Sequence, residues 1–139
     1  MKILGLDYGK ARIGVALSDE MQKIAFPKET IKASYNIEKT LEEVIKALKK
    51  YQFDQIVIGL PLLMNGQESP MAKEVRDFSE KLSTLIGKPI IFWDERLTSK
   101  QVEKTLIESS VRRKERSASV DTMAAALILQ SYLDSKNRS

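Results

Sequence analysis

Apolar and polar positions along the chain fall into a clear succession of patterns. Residues 2–19 form two extended runs. Ile3, Leu4 and Leu6 lead out to Asp7, the chain turns through Tyr8-Gly9-Lys10, and Ile13, Val15 and Leu17 bring it back. This predicts a β-hairpin with Asp7 where the first strand enters the turn, and with Gly9 and Gly14 leaving room for close approach. Residues 24–31 form a third extended run. Pro27 cannot donate to a ladder and places that run at an edge or a break.

The period then changes. Ile37, Leu41, Val44, Ile45 and Leu48 recur at helical spacing behind Ser34 or Asn36 as cap, and the intervening Glu and Lys residues form a solvated face. Residues 54–60 are apolar at nearly every position, as in a strand buried on both faces, and end at Gly59-Leu60-Pro61. A loop with Asn65-Gly66 follows. Ser69-Pro70 starts a helix that Gly87 stops. Residues 89–93 form the next buried strand, with Asp94-Glu95-Arg96 at its end. Thr98 or Ser99 caps a helix carrying Val102, Leu106 and Ile107, and 109–119 is a basic loop. The last helix runs from about 119 to 133. Met123, Ala124, Leu127, Ile128 and Tyr132 are expected to pack, with Ala125 and Ala126 allowing close approach to a sheet.

The expected fold class is α/β: a mixed five-stranded sheet, with a three-stranded antiparallel meander plus two parallel strands, flanked by helices. Ligands of such sheets bind outside the carboxyl ends of the parallel strands, where Asp7, Gly59 and Glu95 all fall.

Composition narrows the chemistry. The 139 residues fit one domain, 1–139. With no cysteine and no histidine, disulfides, zinc-thiolate sites and the commonest general base are excluded. The formal net charge of +4 permits an anionic partner. There is no signal peptide or membrane-length apolar run, so the expectation is a cytoplasmic protein with no membrane partner. Asp7, Glu95 and Asp121 are the candidate catalytic and metal-binding residues. Convergent carboxylates without histidine make a hard-cation site for Mg²⁺ or Mn²⁺, suited to cutting a phosphodiester. Each acid has a plainer role open to it. Asp7 can be a turn residue, Glu95 can pair with Arg96, and Asp121 can favour a helix start. Trp93 is expected in the core.

The stretches LGLDYGKARIGVALSD, VIGLPLLMNGQES, DERLTS and VDTMAAALILQSYLD resemble the YqgF family of pre-16S rRNA nucleases, relatives of RuvC-type Holliday junction resolvases. The resemblance spans essentially the whole chain. It implies an RNase H-like fold, divalent-metal nuclease chemistry, and processing of the 5′ end of precursor 16S ribosomal RNA, with branched DNA as a second substrate class. It picks Asp7, Glu95 of the DER motif and Asp121 as the acids. Lys10, Arg12, Arg96, Arg112, Arg113, Lys114 and Arg116 are the candidates for nucleic-acid binding, and Thr98 for orienting water or backbone. The expected partners are structured RNA and the ribosomal precursor particle, the protein itself being a monomer or weak homodimer. Two positions depart from related patterns. RuvC-type resolvases carry an acid where this chain has Gly59, so Glu95 must substitute from the neighbouring strand. Ser117-Ala118 replaces a Lys-Gly pair common before the last acid, which puts a phosphate contact there in doubt.

Two other readings are open. One is a non-catalytic RNA-binding ribosome-assembly factor. The other is phosphoryl transfer of the actin-like ATPase type, which needs two such domains.

Overall fold

The computed structural model describes residues 1–97 and 120–137, and the backbone alone at Val120 and Asp121. The elements are β1 (Ile3–Tyr8), β2 (Arg12–Ser18), β3 (Ala25–Lys32), α1 (Ile37–Leu48), β4 (Gln55–Leu60), α2 (Pro70–Ile86), β5 (Ile90–Asp94), a 3₁₀ turn (Glu95–Leu97) and α3 (Val120–Asn137). The helix and basic loop expected between 98 and 119 lie outside the described residues.

The five strands are ordered β3-β2-β1-β4-β5. β2 pairs antiparallel with β1 and β3, whereas β4 pairs parallel with β1 and β5. Pro27 sits on the edge strand β3, and the register slips beside it: Ala16 faces Pro27 while Val15 faces Glu29. A strand at the sheet edge can absorb both a missing donor and a bulge.

The helices start and stop where local chemistry dictates. Asn36 caps α1, accepting from the backbone N–H of Glu38 and Lys39. Ser69 caps α2 through the N–H of Ala72, Pro70 takes the first helical position, and Gly87 closes the helix at φ 66°.

The core has two layers, one on each face of the sheet. Leu4, Leu6, Ile56 and Ile58 pack against Leu41 and Val44 of α1 and Val75, Phe78 and Leu82 of α2. Ile3, Ala16 and Val57 pack against Ala125, Ala126, Ile128, Leu129 and Leu133 of α3. The packing face of α3 is the expected one in part: Ile128 is buried, and Ala125 and Ala126 make the expected close approach to the sheet. Leu129 and Leu133 complete the buried set, whereas Met123, Leu127 and Tyr132 only flank it. The helix also runs one turn past 133. Its last turn is tied down, with Lys136 Nζ donating to Gln22 Oε1 at 2.8 Å and Asn137 Nδ2 to the Gln22 carbonyl at 3.0 Å. β5 is half-buried throughout rather than fully buried, because it is the last strand in the sheet order.

Candidate active site

Alternation along β1 decides where Asp7 points. Leu4 and Leu6 belong to the α1/α2 layer, and Ile3 to the α3 layer. Gly5 lies so close to α3 that a Cβ there would stand 2.8 Å from Leu129 Cβ and 3.2 Å from the Ala125 carbonyl. Asp7 is the next residue on that face. Its partner on β2 is Gly14. On the other side Leu6 pairs with Ile58, so Gly59 is level with Asp7, one strand spacing or about 4.8 Å away. Asp7 is thus flanked by two residues without side chains.

Glu95 enters this gap from the neighbouring strand. Gly59 pairs with Trp93, which packs against α3, donating from its indole to Ser131 Oγ at 3.0 Å and meeting Tyr132 edge to face. Trp93 is therefore part of the α3 layer, as expected. Two residues on, Glu95 turns its side chain over Gly59. A Cβ at Gly59 would lie 3.0 Å from Glu95 Cγ, 3.2 Å from its carboxyl carbon and 2.6 Å from Ile128 Cδ1. The Glu95 carboxyl group stands beside the space that a side chain at position 59 would use. Burial, and secondarily the charge of Asp94, push its pKa above the usual carboxylate range.

Asp94 faces differently and has other partners. Its carboxylate accepts the Arg96 backbone N–H at 2.9 Å, and the guanidinium through Nε at 3.0 and 3.1 Å and Nη2 at 2.7 Å. These Arg96 hydrogen bonds hold the Asp94 pKa below its ordinary value. The plainer role open to Glu95, pairing with Arg96, belongs to Asp94. Arg96 also donates from Nη1 to the Met64 carbonyl at 3.2 Å, a tie that sequence reasoning missed. Asn65-Gly66 marks a tight loop, but nothing in it points to a carbonyl reached from 32 residues away.

The third acid lies on α3. The last turn of α3 is bound to the β2–β3 connection, at the sheet edge away from Asp7, and Ala125 lies against Gly5. One turn back from Ala125, about 6 Å along the axis, brings the Asp121 backbone to the Asp7 edge. The Asp121 side chain is outside the described residues. Among those residues no three acids group closely enough for a metal. Lys10 and Arg12 are exposed where β1 turns into β2, at the same edge. Thr98, Arg112, Arg113, Lys114 and Arg116 lie outside the described residues.

Comparison with known proteins identifies the family and the fold. The family described as "RuvX: Holliday junction resolvase" matches residues 1–135. A Protochlamydia amoebophila protein named "Putative pre-16S rRNA nuclease" is 44% identical, covering 97% of this chain and 94% of its own. A Lactococcus lactis protein of the same name is 46% identical over 96% and 94%. Among solved structures, Thermus thermophilus RuvC superposes with a TM-score of 0.71 at 12% identity, covering 99% of this chain and 97% of RuvC. The Fowlpox virus resolvase, solved with Holliday junction DNA, gives 0.60 at 14% identity over 96% and 99%. These two likenesses establish the RuvC-type, RNase H-like fold.

Proposed function

The chain belongs to the RuvX family and is a nuclease, a hydrolase of phosphodiester bonds; on that premise we propose a divalent-metal-dependent endonuclease that processes the 5′ end of precursor 16S ribosomal RNA. The observation that carries the metal dependence is the Glu95 carboxyl over Gly59, beside the strand of Asp7. Burial disfavours its charge, and a bound cation would offset that cost. The donors are carboxylate oxygens, which fits a hard ion.

Asp7, Glu95 and Asp121 would hold Mg²⁺ or Mn²⁺, which when bound supplies an activated water and neutralises the leaving oxygen. Gly14 and Gly59, level with Asp7 on the two neighbouring strands, place no side chain of their own between its carboxylate and a phosphodiester. Lys10 and Arg12 bind backbone phosphates at the same edge, and Arg112, Arg113, Lys114 and Arg116 extend that interaction. The substrate is presented in the cytoplasm by a ribosomal precursor particle. No helix among the described residues is long and apolar enough to cross a membrane.

The test is cleavage of a precursor rRNA fragment and, in parallel, a four-way DNA junction, with Mg²⁺ or Mn²⁺, by wild type and Asp7→Asn. Asp7→Asn is expected to fold normally and to lose cleavage by at least about a hundredfold, as loss of one anionic ligand weakens the metal without touching the core. Wild-type turnover by the folded variant would remove Asp7 from the site. Cleavage of the junction alone would replace RNA by branched DNA as the substrate.

A further inference from the structure

We infer that Asp94 and Arg96 are positioning residues, a brace that sets the Glu95 carboxyl over Gly59 and locks the loop of residues 62–68 beside it. The inference rests on the nuclease reading above for its functional consequence, but the brace itself is written in hydrogen bonds. Asp94 closes the 3₁₀ turn through the Arg96 backbone N–H and at the same time grips the guanidinium through Nε and Nη2. With the side chains on either side of it joined to each other, Glu95 is left to project the opposite way, onto the α3 face of the sheet.

The far end of the same guanidinium reaches the Met64 carbonyl. That loop is tightly built. Leu62 bridges Glu68, Leu63 N–H donates to the Gln67 carbonyl at 2.8 Å, Gly66 N–H to the Leu63 carbonyl at 2.8 Å, and Gln67 N–H to Asn65 Oδ1 at 3.0 Å. A Cβ at Gly66 would come within 3.9 Å of both terminal guanidinium nitrogens. Leu60 pairs with Asp94, so the brace joins the loop after β4 to the turn after β5 at the level of the acids.

Stability does not explain this arrangement. The pair is partly solvent-exposed, 37% for Arg96 and 20% for Asp94, and exposed ion pairs contribute little to folding. Geometry does explain it. Only a planar fork can hold a carboxylate through two nitrogens while a third reaches a carbonyl, and lysine cannot replace it. The tip that the brace fixes carries Met64, 91% exposed, and Leu63, 46% exposed, beside the catalytic edge.

The test uses the full chain with Arg96→Lys, Asp94→Asn and the double variant. Arg96→Lys keeps the positive charge, so a residue that served only to grip phosphate would change KM and leave kcat nearly intact. A brace predicts the reverse. In each single variant kcat should fall about tenfold to a hundredfold at unchanged KM and unchanged Tm, the scale expected for a small misplacement of a reacting group. The double variant should be no worse than the poorer single one, since both break one unit. Amide exchange at residues 63–66 should accelerate in all three. Wild-type kcat in Arg96→Lys, a rise in KM alone, additive losses in the double variant, or unchanged exchange at 63–66 would each overturn the brace. If wild type cleaves neither RNA nor junction, the nuclease reading fails. Exchange at 63–66 still decides the brace.

Discussion

Glu95 serves two opposed conditions, and its protonation records both. Without a cation, burial and the charge of Asp94 favour the neutral carboxyl, so its folded pKa lies above its unfolded value. Such a group contributes stability that is fully present below the ordinary carboxylate pKa, about 4.3, and that is lost as pH rises through the raised folded value. Glutamine resembles the neutral form at every pH. Glu95→Gln should therefore raise Tm in chelator at neutral pH, and its advantage over wild type should shrink toward pH about 4. Mn²⁺ should reverse the order at neutral pH by stabilising the charged wild type more than the variant. Thermal unfolding across pH, with and without metal, checks both signs. A lower Tm for Glu95→Gln in chelator at neutral pH would mean that the charged form is already compensated within the protein.

Among the elements, those with strong local punctuation were legible in the sequence. The β1–β2 hairpin, the Ser69-Pro70 start of α2 and its stop at Gly87 are each set by a few adjacent residues. The face of α3 was legible only in part: Ala125 and Ala126 stood out as small residues for close approach to the sheet, but apolar residues surround this helix and no single stripe marks Leu129 and Leu133 as buried. The edge position of β5 was hidden for a related reason, since an apolar run does not say how many strands flank it. The close packing of α3 on the sheet gives a comparative prediction. Gly5→Ala would press a methyl against Leu129 Cβ and the Ala125 carbonyl, neither of which can rotate away. The cost should be about 1–3 kcal/mol, as for other overpacked cores. Gly59→Ala meets the mobile ends of Ile128 and Glu95 instead, so it should cost less stability but displace Glu95 and lose most of the cleavage. Urea unfolding together with cleavage rates separates the two. Equal stability losses with equal activity would show that α3 adjusts at both positions alike.

For the whole molecule, the part of the site that could be read from sequence was the part fixed by topology. Parallel β1, β4 and β5 end at one edge, so Asp7, Gly59 and Glu95 all lie along it. The tie from Arg96 to Met64 was not readable, because it joins residues 32 apart through a carbonyl that any residue type supplies. Charge is the other property that belongs to the whole chain. The formal net charge is +4, and changing Arg112, Arg113, Lys114 and Arg116 to Ala removes four positive charges and leaves it at zero (4 − 4 = 0). If these side chains lie along backbone phosphates, truncating each one leaves a phosphate with its counterions in place on binding. The slope of log binding constant against log salt should then flatten by about 0.7 for each single-strand phosphate no longer neutralised, similarly for unrelated sequences. Cleavage at saturating RNA should change much less, since the acids are untouched. RNA binding measured by anisotropy from low to moderate salt decides the matter. A slope equal to that of wild type would make the run a solvated surface segment, and would leave phosphate binding to Lys10 and Arg12 at the Asp7 edge.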